Sequence, residues 1–187
     1  MEAGSIKLYI GPMFSGKTES LVRDLDRYTI GRHRKRVVIV RPLKDNRYVE
    51  QETTGIMLNS GREYLKAPIV VSETLGRIDA DIMNNYDVIG ITETQFFPDI
   101  EYIDSWANKG KIVICDGLKG RTDNRPMGRI LELIPMCEQV IDMKAVCEHC
   151  SKDASFTSLR NKQQPAGEKV AGIDEYLATC RSCKLNE

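Results

Sequence analysis

The amino-acid sequence predicts an α/β fold, a parallel sheet with helices on both faces, followed by a small metal-binding unit. Over the first two-thirds of the chain, short apolar runs rich in β-branched residues alternate with segments of helical periodicity. Strands that are apolar almost throughout are typical of parallel sheets covered on both faces. After residue 142 the apolar runs stop and two pairs of cysteines appear. We therefore predict two domains, residues 1–142 and residues 143–187.

The predicted elements alternate along the chain. Strands are expected at Ile6–Ile10, Arg36–Arg41, Ala67–Ser72, Asp87–Ile91, Lys111–Cys115 and Glu138–Asp142. Helices are expected at Lys17–Ile30, Glu73–Asn85, Ile100–Asn108 and Pro126–Leu133. The polar stretch Leu43–Lys66 has no clear period, and we expect a long functional loop or hairpin there. Crossovers between the parallel strands should be right-handed, which places ligands at the carboxyl ends of the strands.

The composition indicates a globular chain without strong bulk charge. The 187 residues suffice for one domain with a small appendage, and 27 basic residues balance 27 acidic residues. The basic cluster Arg32–Arg36 falls in a helix–strand connection, where a solvated loop explains it better than a nucleic-acid surface. No apolar run has the length of a membrane span and the N-terminus lacks a secretory pattern, so we expect a cytoplasmic protein. In that reducing compartment, six cysteines favour metal ligands or free thiols over disulfides.

A phosphate-binding P-loop is indicated by the spacing G-x-x-x-x-G-K-T, which the chain spells as Gly11-Pro12-Met13-Phe14-Ser15-Gly16-Lys17-Thr18. The motif lies between a predicted strand and a predicted helix, as a P-loop requires. Its glycines let successive backbone N–H groups face one concavity, toward which the helix directs its positive end. Lys17 can reach the outer phosphates, and the Thr18 hydroxyl can bind Mg²⁺. A nucleoside triphosphate site is therefore predicted, the alternative being a glycine-bearing turn without a ligand.

Two C-x-x-C pairs near the C-terminus predict a structural zinc site, because each pair can supply two thiolates at tetrahedral angles. The four cysteines are Cys147, Cys150, Cys180 and Cys183. A pair of cytosolic disulfides is the alternative. His149 lies between the first two cysteines, but four thiolates already fill the shell. The polar segment Ser151–Thr179 would then be a loop with fixed ends, able to close over a ligand.

A second chemical feature follows the predicted strand Asp87–Ile91. The chain continues Thr92-Glu93-Thr94-Gln95-Phe96-Phe97, which places a carboxylate, an amide and two aromatic rings at the end of a strand. Beside a P-loop, Glu93 can hold the water shell of a metal or accept a proton from an attacking hydroxyl. The aromatic rings can cover a flat base. The alternative is a solvated glutamate next to core phenylalanines.

Together these motifs resemble the type II thymidine kinase family over nearly the whole chain. The P-loop is similar to that family's own version, and the loop Lys44–Tyr48 resembles its K-D-x-R-Y motif. The run Glu93–Phe97 resembles D-E-x-Q-F-F, and Leu118 with Gly120 fits A-x-L-D-G-x-F. The run Gly172–Tyr176 and the paired cysteines look like the family's zinc-tethered lasso.

The resemblance implies a RecA-like P-loop fold that transfers the γ-phosphoryl group of ATP to the 5′-hydroxyl of thymidine or a related pyrimidine deoxynucleoside. It implies Mg²⁺, structural Zn²⁺ and a homotetramer. The composition and the balanced charge predict no membrane partner and disfavour a nucleic-acid partner. Glu93 would be the general base, acting with Lys17 and Arg47, while Asp45 and Arg47 would position the sugar and the developing charge. The residues expected around the nucleoside are Met13, Asp45, Arg47, Gln95, Phe96, Leu118, Thr122, Met127, Val170, Gly172 and Tyr176.

Four departures from the family pattern bear on the chemistry. The Asp that precedes the family's catalytic Glu is Thr92 here, and a neutral hydroxyl cannot replace its charge near Mg²⁺. Asp116, at the end of the next apolar strand, is expected to supply the missing charge, with a turn-capping Asp as the alternative. Thr122 and Met127 stand where the family has phenylalanines, and Lys119 replaces an Asp. These changes predict a wider and more polar base pocket.

The sequence leaves three functions open. The first is a nucleoside kinase with thymidine-like specificity. The second is a catalytically degenerate paralogue that binds nucleotide or regulates, which Thr92, Lys119 and the missing aromatic rings favour. The third is a P-loop kinase for a larger 5-substituted pyrimidine nucleoside or nucleotide. We expect the enzyme, because every part of a phosphoryl-transfer site is still represented.

Overall fold

A parallel sheet forms the centre of the computed structural model, which describes residues 3–30, 32–44, 56–57, 63–65, 67–161 and 173–186. The first eight strands are β1 (Ser5–Gly11), β2 (Val37–Pro42), β3 (Ile56–Met57), β4 (Glu63–Leu65), β5 (Ile69–Ser72), β6 (Val88–Ile91), β7 (Ile112–Leu118) and β8 (Gln139–Asp142). Six of them form the sheet, in the order β5-β2-β6-β7-β1-β8. Every pairing within it is parallel. The predicted α/β fold class is thereby confirmed.

Helices cover both faces of this sheet. They are α1 (Lys17–Thr29), α2 (Asp79–Asn85) and α3 (Glu101–Asn108), whereas a fourth helix, α4 (Arg181–Leu185), packs in the C-terminal part against Phe156–Leu159. One face packs against α1 through an apolar cluster that includes Leu21, Leu25 and Ile114. The other face packs against α2 and α3, where Trp106 is fully buried and its Nε1 donates to Asp79 Oδ1 at 2.7 Å. Because both faces are covered, the inner strands β2, β6 and β7 are buried along most of their length, whereas the edge strand β8 is largely exposed.

Two predicted helices differ from the observed structure. Helix α2 begins only at Asp79, because the carboxylate of Asp99 accepts the N–H groups of Leu75 and Gly76 and holds the preceding turn, which leads into a 3₁₀ segment at 76–78. The helix expected at Pro126–Leu133 is wrong: that region forms a 3₁₀ segment at Ile130–Met136. Pro135 lies inside this segment and lacks the N–H that an α-helix would need there.

Strand β7 extends beyond its predicted end at Cys115. Residues 116–118 pair with the last three residues of β1, from Tyr9 to Gly11. Asp116 therefore lies inside a central strand. The sequence, in contrast, predicts it just after the end of that strand.

The C-terminal part contains two small antiparallel sheets. These pair β9 (Ala145–Val146) with β10 (Asp153–Ala154), and β11 (Phe156–Leu159) with β12 (Tyr176–Thr179). Ala145, Ala154 and Ala178 form an apolar cluster of their own with the cysteines. In the stretch expected to be a loop or hairpin, β3 and β4 pair antiparallel. Within the described residues, no helix combines the length and apolar character needed to cross a membrane.

Candidate active site

The P-loop connects the carboxyl end of β1 to the first turn of α1. Phe14 and Gly16 adopt positive φ angles of 63° and 74°, so the backbone curls in a way that glycine accepts readily. The Lys17 ammonium donates to the Pro12 carbonyl at 2.6 Å, and the Ser15 hydroxyl donates to the same oxygen at 2.9 Å. Because α1 starts at Lys17, its first N–H groups and the positive end of its dipole face this loop. The geometry is that of an anion-binding loop.

Glu93 follows β6 at the same edge of the sheet. Its φ of 52° and ψ of 43° lie in the left-handed region, which is uncommon for a residue with a side chain and is often found at functional sites. The backbone N–H of Glu93 donates to Asp116 Oδ1 at 2.9 Å, which holds the turn in place. The glutamate is thus fixed beside the central strand β7.

Gln95 fixes the direction of the Glu93 carboxylate. Its Nε2 donates to Glu93 Oε2 at 2.5 Å, and its Oε1 accepts the backbone N–H of Leu118 at 3.1 Å. Gln95 is 4% exposed. A Cβ at position 117 would lie 2.2 Å from Gln95 Oε1, so only glycine leaves room for this amide. The Gln95 amide therefore connects the Glu93 carboxylate to the backbone at the end of β7.

Asp116 lies beneath the P-loop and Glu93. Its side chain is 1% exposed, and among the described residues its Oδ2 has no hydrogen-bond partner. Burial, and after it the charge of Glu93, raise the pKa of Asp116 to about 6, even though the Glu93 backbone N–H, Lys17 and the Thr18 hydroxyl act in the opposite direction. The carboxyl group therefore lies beside Glu93, whose N–H it accepts, and on the strand that pairs with the last residues of β1 before the P-loop.

The residues expected around the base occupy mixed environments. Met13, Phe96, Leu118, Thr122 and Tyr176 are partly exposed. Phe97, in contrast, is 1% exposed and belongs to the core, so for this ring the alternative of a core phenylalanine is correct.

The hairpin between β7 and the 3₁₀ segment is closed by a bridge between Gly120 and Pro126. Within the described structure, Arg121 Nε and Thr122 Oγ1 are buried without a hydrogen-bond partner. Met127 is 5% exposed. Lys119 forms an ion pair with Asp142 at 2.5 Å, so its positive charge is matched at the end of β8.

Four predicted site residues lie outside the described part of the chain. They are Asp45, Arg47, Val170 and Gly172. The same applies to most of the Lys44–Tyr48 loop and of the segment before Tyr176.

Four cysteines come together in the C-terminal part as the sequence predicted. The sulfur atoms of Cys147, Cys150, Cys180 and Cys183 all lie within 4.8 Å of one another. The Cys150 and Cys180 sulfurs are 3.6 Å apart, close to the roughly 3.8 Å that Zn–S bonds of about 2.3 Å give in a tetrahedral site. All six cysteines are free thiols. Backbone N–H groups, chiefly that of Cys180, lower the pKa of the Cys147 thiol to about 6, which favours the thiolate that metals bind.

Two residues that the sequence did not single out connect this C-terminal part to the P-loop. The Met13 N–H donates to Thr157 Oγ1 at 3.0 Å. Lys184 Nζ donates to the carbonyls of Thr157 and Thr122, at 3.0 Å and 2.8 Å. These contacts join residues 144 and 62 positions apart, so no local pattern could have revealed them. The one available signal was the position of Lys184 directly after a cysteine of the cluster.

Comparison with known proteins gives a consistent result over the full chain. A family model described as Thymidine kinase matches residues 4–184. The thymidine kinase of Monkeypox virus is 40% identical over 187 residues, which are 100% of this chain and 99% of that protein. The thymidine kinase of Raccoon poxvirus is 39% identical over 188 residues, covering 100% of both proteins. Among solved structures, the Legionella pneumophila ATPase DotB matches 82% of this chain with a TM-score of 0.48 and 12% identity, and this chain covers 44% of that ATPase.

Proposed function

The chain belongs to the thymidine kinase family and is therefore a nucleoside kinase, and from this premise we propose that it transfers the γ-phosphoryl group of ATP to the 5′-hydroxyl of thymidine or a related pyrimidine deoxynucleoside. One observation carries the proposal: the P-loop with Lys17 and Thr18, the residue Glu93 and the residue Asp116 lie in or just after three neighbouring strands of the sheet, β1, β6 and β7, and Glu93 N–H donates to Asp116 Oδ1. A base, a phosphate-binding loop and a candidate metal position are thus available within one site.

Each residue has a definite task in this proposal. Glu93 accepts the proton of the attacking 5′-hydroxyl, and Gln95 keeps its carboxylate in a single orientation. The P-loop amides and Lys17 bind the phosphates and balance the charge that develops during transfer. Thr18 and Asp116 are the candidates to hold Mg²⁺, which neutralises charge on the phosphate oxygens when bound. Catalysis then depends mostly on positioning, because phosphoryl transfer needs little covalent chemistry from the protein.

The proposal extends to the rest of the molecule. The cysteine cluster is a structural zinc site, supported by its four clustered thiols, and residues 143–187 form a separate unit over the acceptor. Asp45 and Arg47 would act on the sugar, and Val170 and Gly172 on the base, as the family resemblance implies. A homotetramer in the cytoplasm completes the proposal, and sedimentation analysis of the purified protein tests the tetramer.

A larger 5-substituted pyrimidine nucleoside or nucleotide is the second candidate acceptor. The observation that favours it is the pair of buried polar atoms, Arg121 Nε and Thr122 Oγ1, that lack partners among the described residues. Buried polar groups normally have hydrogen-bond partners, so a polar substituent on the ligand would satisfy them.

A phosphoryl-transfer assay with γ-labelled ATP tests these functions together. The zinc-loaded protein is offered thymidine, deoxyuridine, bulky 5-substituted deoxyuridines, deoxycytidine and thymidine monophosphate, with and without Mg²⁺. We expect Mg²⁺-dependent label on the 5′ position of thymidine or of a 5-substituted analogue. Absence of turnover with every acceptor would contradict the proposal and would favour a degenerate nucleotide-binding paralogue.

A further inference from the structure

We propose that Asp116 is the carboxylate that holds the water shell of the Mg²⁺ ion, acting with the Thr18 hydroxyl. The inference rests on the proposed function, because it assigns the metal position of that same triphosphate site. The family pattern has an acid at the position of Thr92, at the end of β6. In this chain that residue is neutral, and Asp116, on the strand between β6 and β1, would supply the charge instead.

The sheet register places Asp116 where the metal is needed. Strand β7 lies between β1, which leads into the P-loop, and β6, which leads to Glu93. Asp116 pairs with Tyr9 of β1. Paired residues of parallel strands point to the same face, and Tyr9 and Ile114 both pack on the α1 face. The Asp116 side chain is therefore on the side of the sheet that carries Thr18 in the first turn of α1.

The hydrogen bonding of Asp116 is incomplete without a ligand. Oδ1 accepts the N–H of Glu93, whereas Oδ2 is buried with no partner in the part of the chain that the structure describes. A carboxylate that is 1% exposed is costly to bury with one unsatisfied oxygen. A hydrated Mg²⁺ would satisfy this oxygen, since carboxylate and hydroxyl oxygens are its preferred ligands and it usually keeps several waters.

The other acids described at this edge have different partners. Asp142 is bound by Lys119 at 2.5 Å and by Lys144 at 3.0 Å. The Glu93 carboxylate is bound by Gln95. Among these three acids, Asp116 alone combines burial with an open oxygen. A pair of P-loop Thr and strand Asp is also the usual Mg²⁺ site of P-loop enzymes.

The register further predicts that position 92 can replace position 116. Ile91 pairs with Cys115, so the next residues, Thr92 and Asp116, are neighbours across β6 and β7. Thr92 is 4% exposed, and because side chains alternate along a strand, the residue after Ile91 falls on the face opposite to Ile91, which is the α1 face that Asp116 shares. An Asp at position 92 would therefore direct its carboxylate toward the same region. Thr92→Asp combined with Asp116→Asn moves the charge by one strand and keeps an acceptor for the Glu93 N–H.

Metal binding is measured directly, without an acceptor. Mn²⁺ is titrated into the zinc-loaded protein that carries a non-hydrolysable ATP analogue, and free Mn²⁺ is followed by its EPR signal. We expect Asp116→Asn to weaken Mn²⁺ binding at least about tenfold, with the affinity for the metal-free analogue within about threefold of wild type. The double variant should recover most of the lost Mn²⁺ affinity. Asp142→Asn is the matched control, because it removes a carboxylate at the same edge that already has lysine partners.

The outcomes separate this inference from the proposed function. An Mn²⁺ affinity within twofold of wild type in Asp116→Asn would overturn the inference, even if the protein phosphorylates thymidine. A weakened affinity that the double variant does not restore would also overturn it, because Asp116 would then act only through the Glu93 backbone. Restored Mn²⁺ binding without turnover on any acceptor would support the inference and contradict the proposed function. Thermal unfolding of each variant confirms that the protein under test is folded.

Discussion

Glu93, Gln95 and Gly117 form a connected group at the carboxyl edge of the sheet. The glutamate takes a left-handed backbone conformation, and the amide of Gln95 then fixes its carboxylate. Gly117 leaves the space that this amide occupies. The three residues act together: Gly117 leaves space for the Gln95 amide, and this amide fixes the orientation of the Glu93 carboxylate.

Gly117→Ala should lower kcat about tenfold or more, because the new methyl group would lie 2.2 Å from Gln95 Oε1 and displace the amide from Glu93. The KM for ATP should change little, since the P-loop is not touched. Steady-state kinetics on thymidine measure both quantities. Gly120→Ala is the control, because its methyl group would meet only the Arg125 carbonyl at an ordinary 3.6 Å. Equal kcat values for the two variants would show that the position of Gln95 does not matter.

Thr122→Phe should shift specificity toward thymidine. The Thr122 hydroxyl is buried without a partner in the described structure, and a ring would replace it with apolar area. We expect the ratio of kcat/KM for thymidine to that for a bulky 5-substituted deoxyuridine to rise by about 10-fold, corresponding to about 1.4 kcal/mol. Competition between the two nucleosides in one assay measures the ratio. An unchanged ratio would place position 122 away from the base.

At the scale of elements, the residues of the proposed site lie at the carboxyl ends of β1, β6 and β7. These three ends are the P-loop, Glu93 and the segment from Asp116 to Leu118. A parallel sheet brings such ends to one edge, so the site follows from the strand order and not from proximity in sequence.

The elements show what the sequence could predict and what it could not. Six sheet strands were predicted nearly to their ends, because parallel strands buried on both faces have an unmistakable apolar pattern. The apolar spacing after Pro126 resembles that of an α-helix, but this region forms a 3₁₀ segment that includes Pro135. Asp116 was placed after β7, since an acidic residue inside a central strand contradicts that pattern. The departure from the pattern coincides with the proposed metal site.

Lys184→Met should weaken nucleoside binding more than ATP binding. Its ammonium group joins α4 to the Thr122 hairpin and to β11, which in turn contacts the P-loop. We expect KM for thymidine to rise about 5- to 30-fold, because two charge-assisted hydrogen bonds are lost. Lys152→Met, at an exposed position of the same C-terminal part, is the control. Equal KM values in both variants would show that α4 does not position the hairpin.

At the scale of the whole molecule, an ion pair between Arg36 and Asp87 joins two neighbouring strands of the sheet. The guanidinium of Arg36 binds both carboxylate oxygens of Asp87, at 3.1 Å and 2.8 Å, and joins the starts of β2 and β6. This bond to Arg36 is the main reason why the pKa of Asp87 is lowered to about 2.

Asp87 should therefore make stability depend on pH in the acid range. Its folded-state pKa of about 2 lies below the unfolded value of about 3.9, so its contribution is complete above about pH 5 and is lost as pH falls toward 2. Because both side chains are substantially exposed, we expect Asp87→Asn to cost at most about 1 kcal/mol at pH 7 and almost nothing at pH 2. Urea unfolding at several pH values measures the difference. A difference that does not change with pH would contradict this assignment.

The candidate site as a whole was predictable in its chemistry but not in its connections. Sequence motifs predicted the P-loop, Glu93 and the four cysteines, because the residues of each motif are close together in the sequence. The roles of Gly117, Thr157 and Lys184 depend on contacts between distant segments, and no local spacing encodes them.

The most direct test of the central claim is the single-turnover rate of phosphoryl transfer to thymidine in Glu93→Gln. The substitution keeps the shape and a hydrogen-bond acceptor for Gln95 but removes the base. We predict a rate about 10²- to 10⁴-fold below wild type, with the affinity for ATP unchanged and with full activity in the control Glu132→Gln, an exposed glutamate. A Glu93→Gln rate equal to that of wild type would contradict the assignment of Glu93 as the general base.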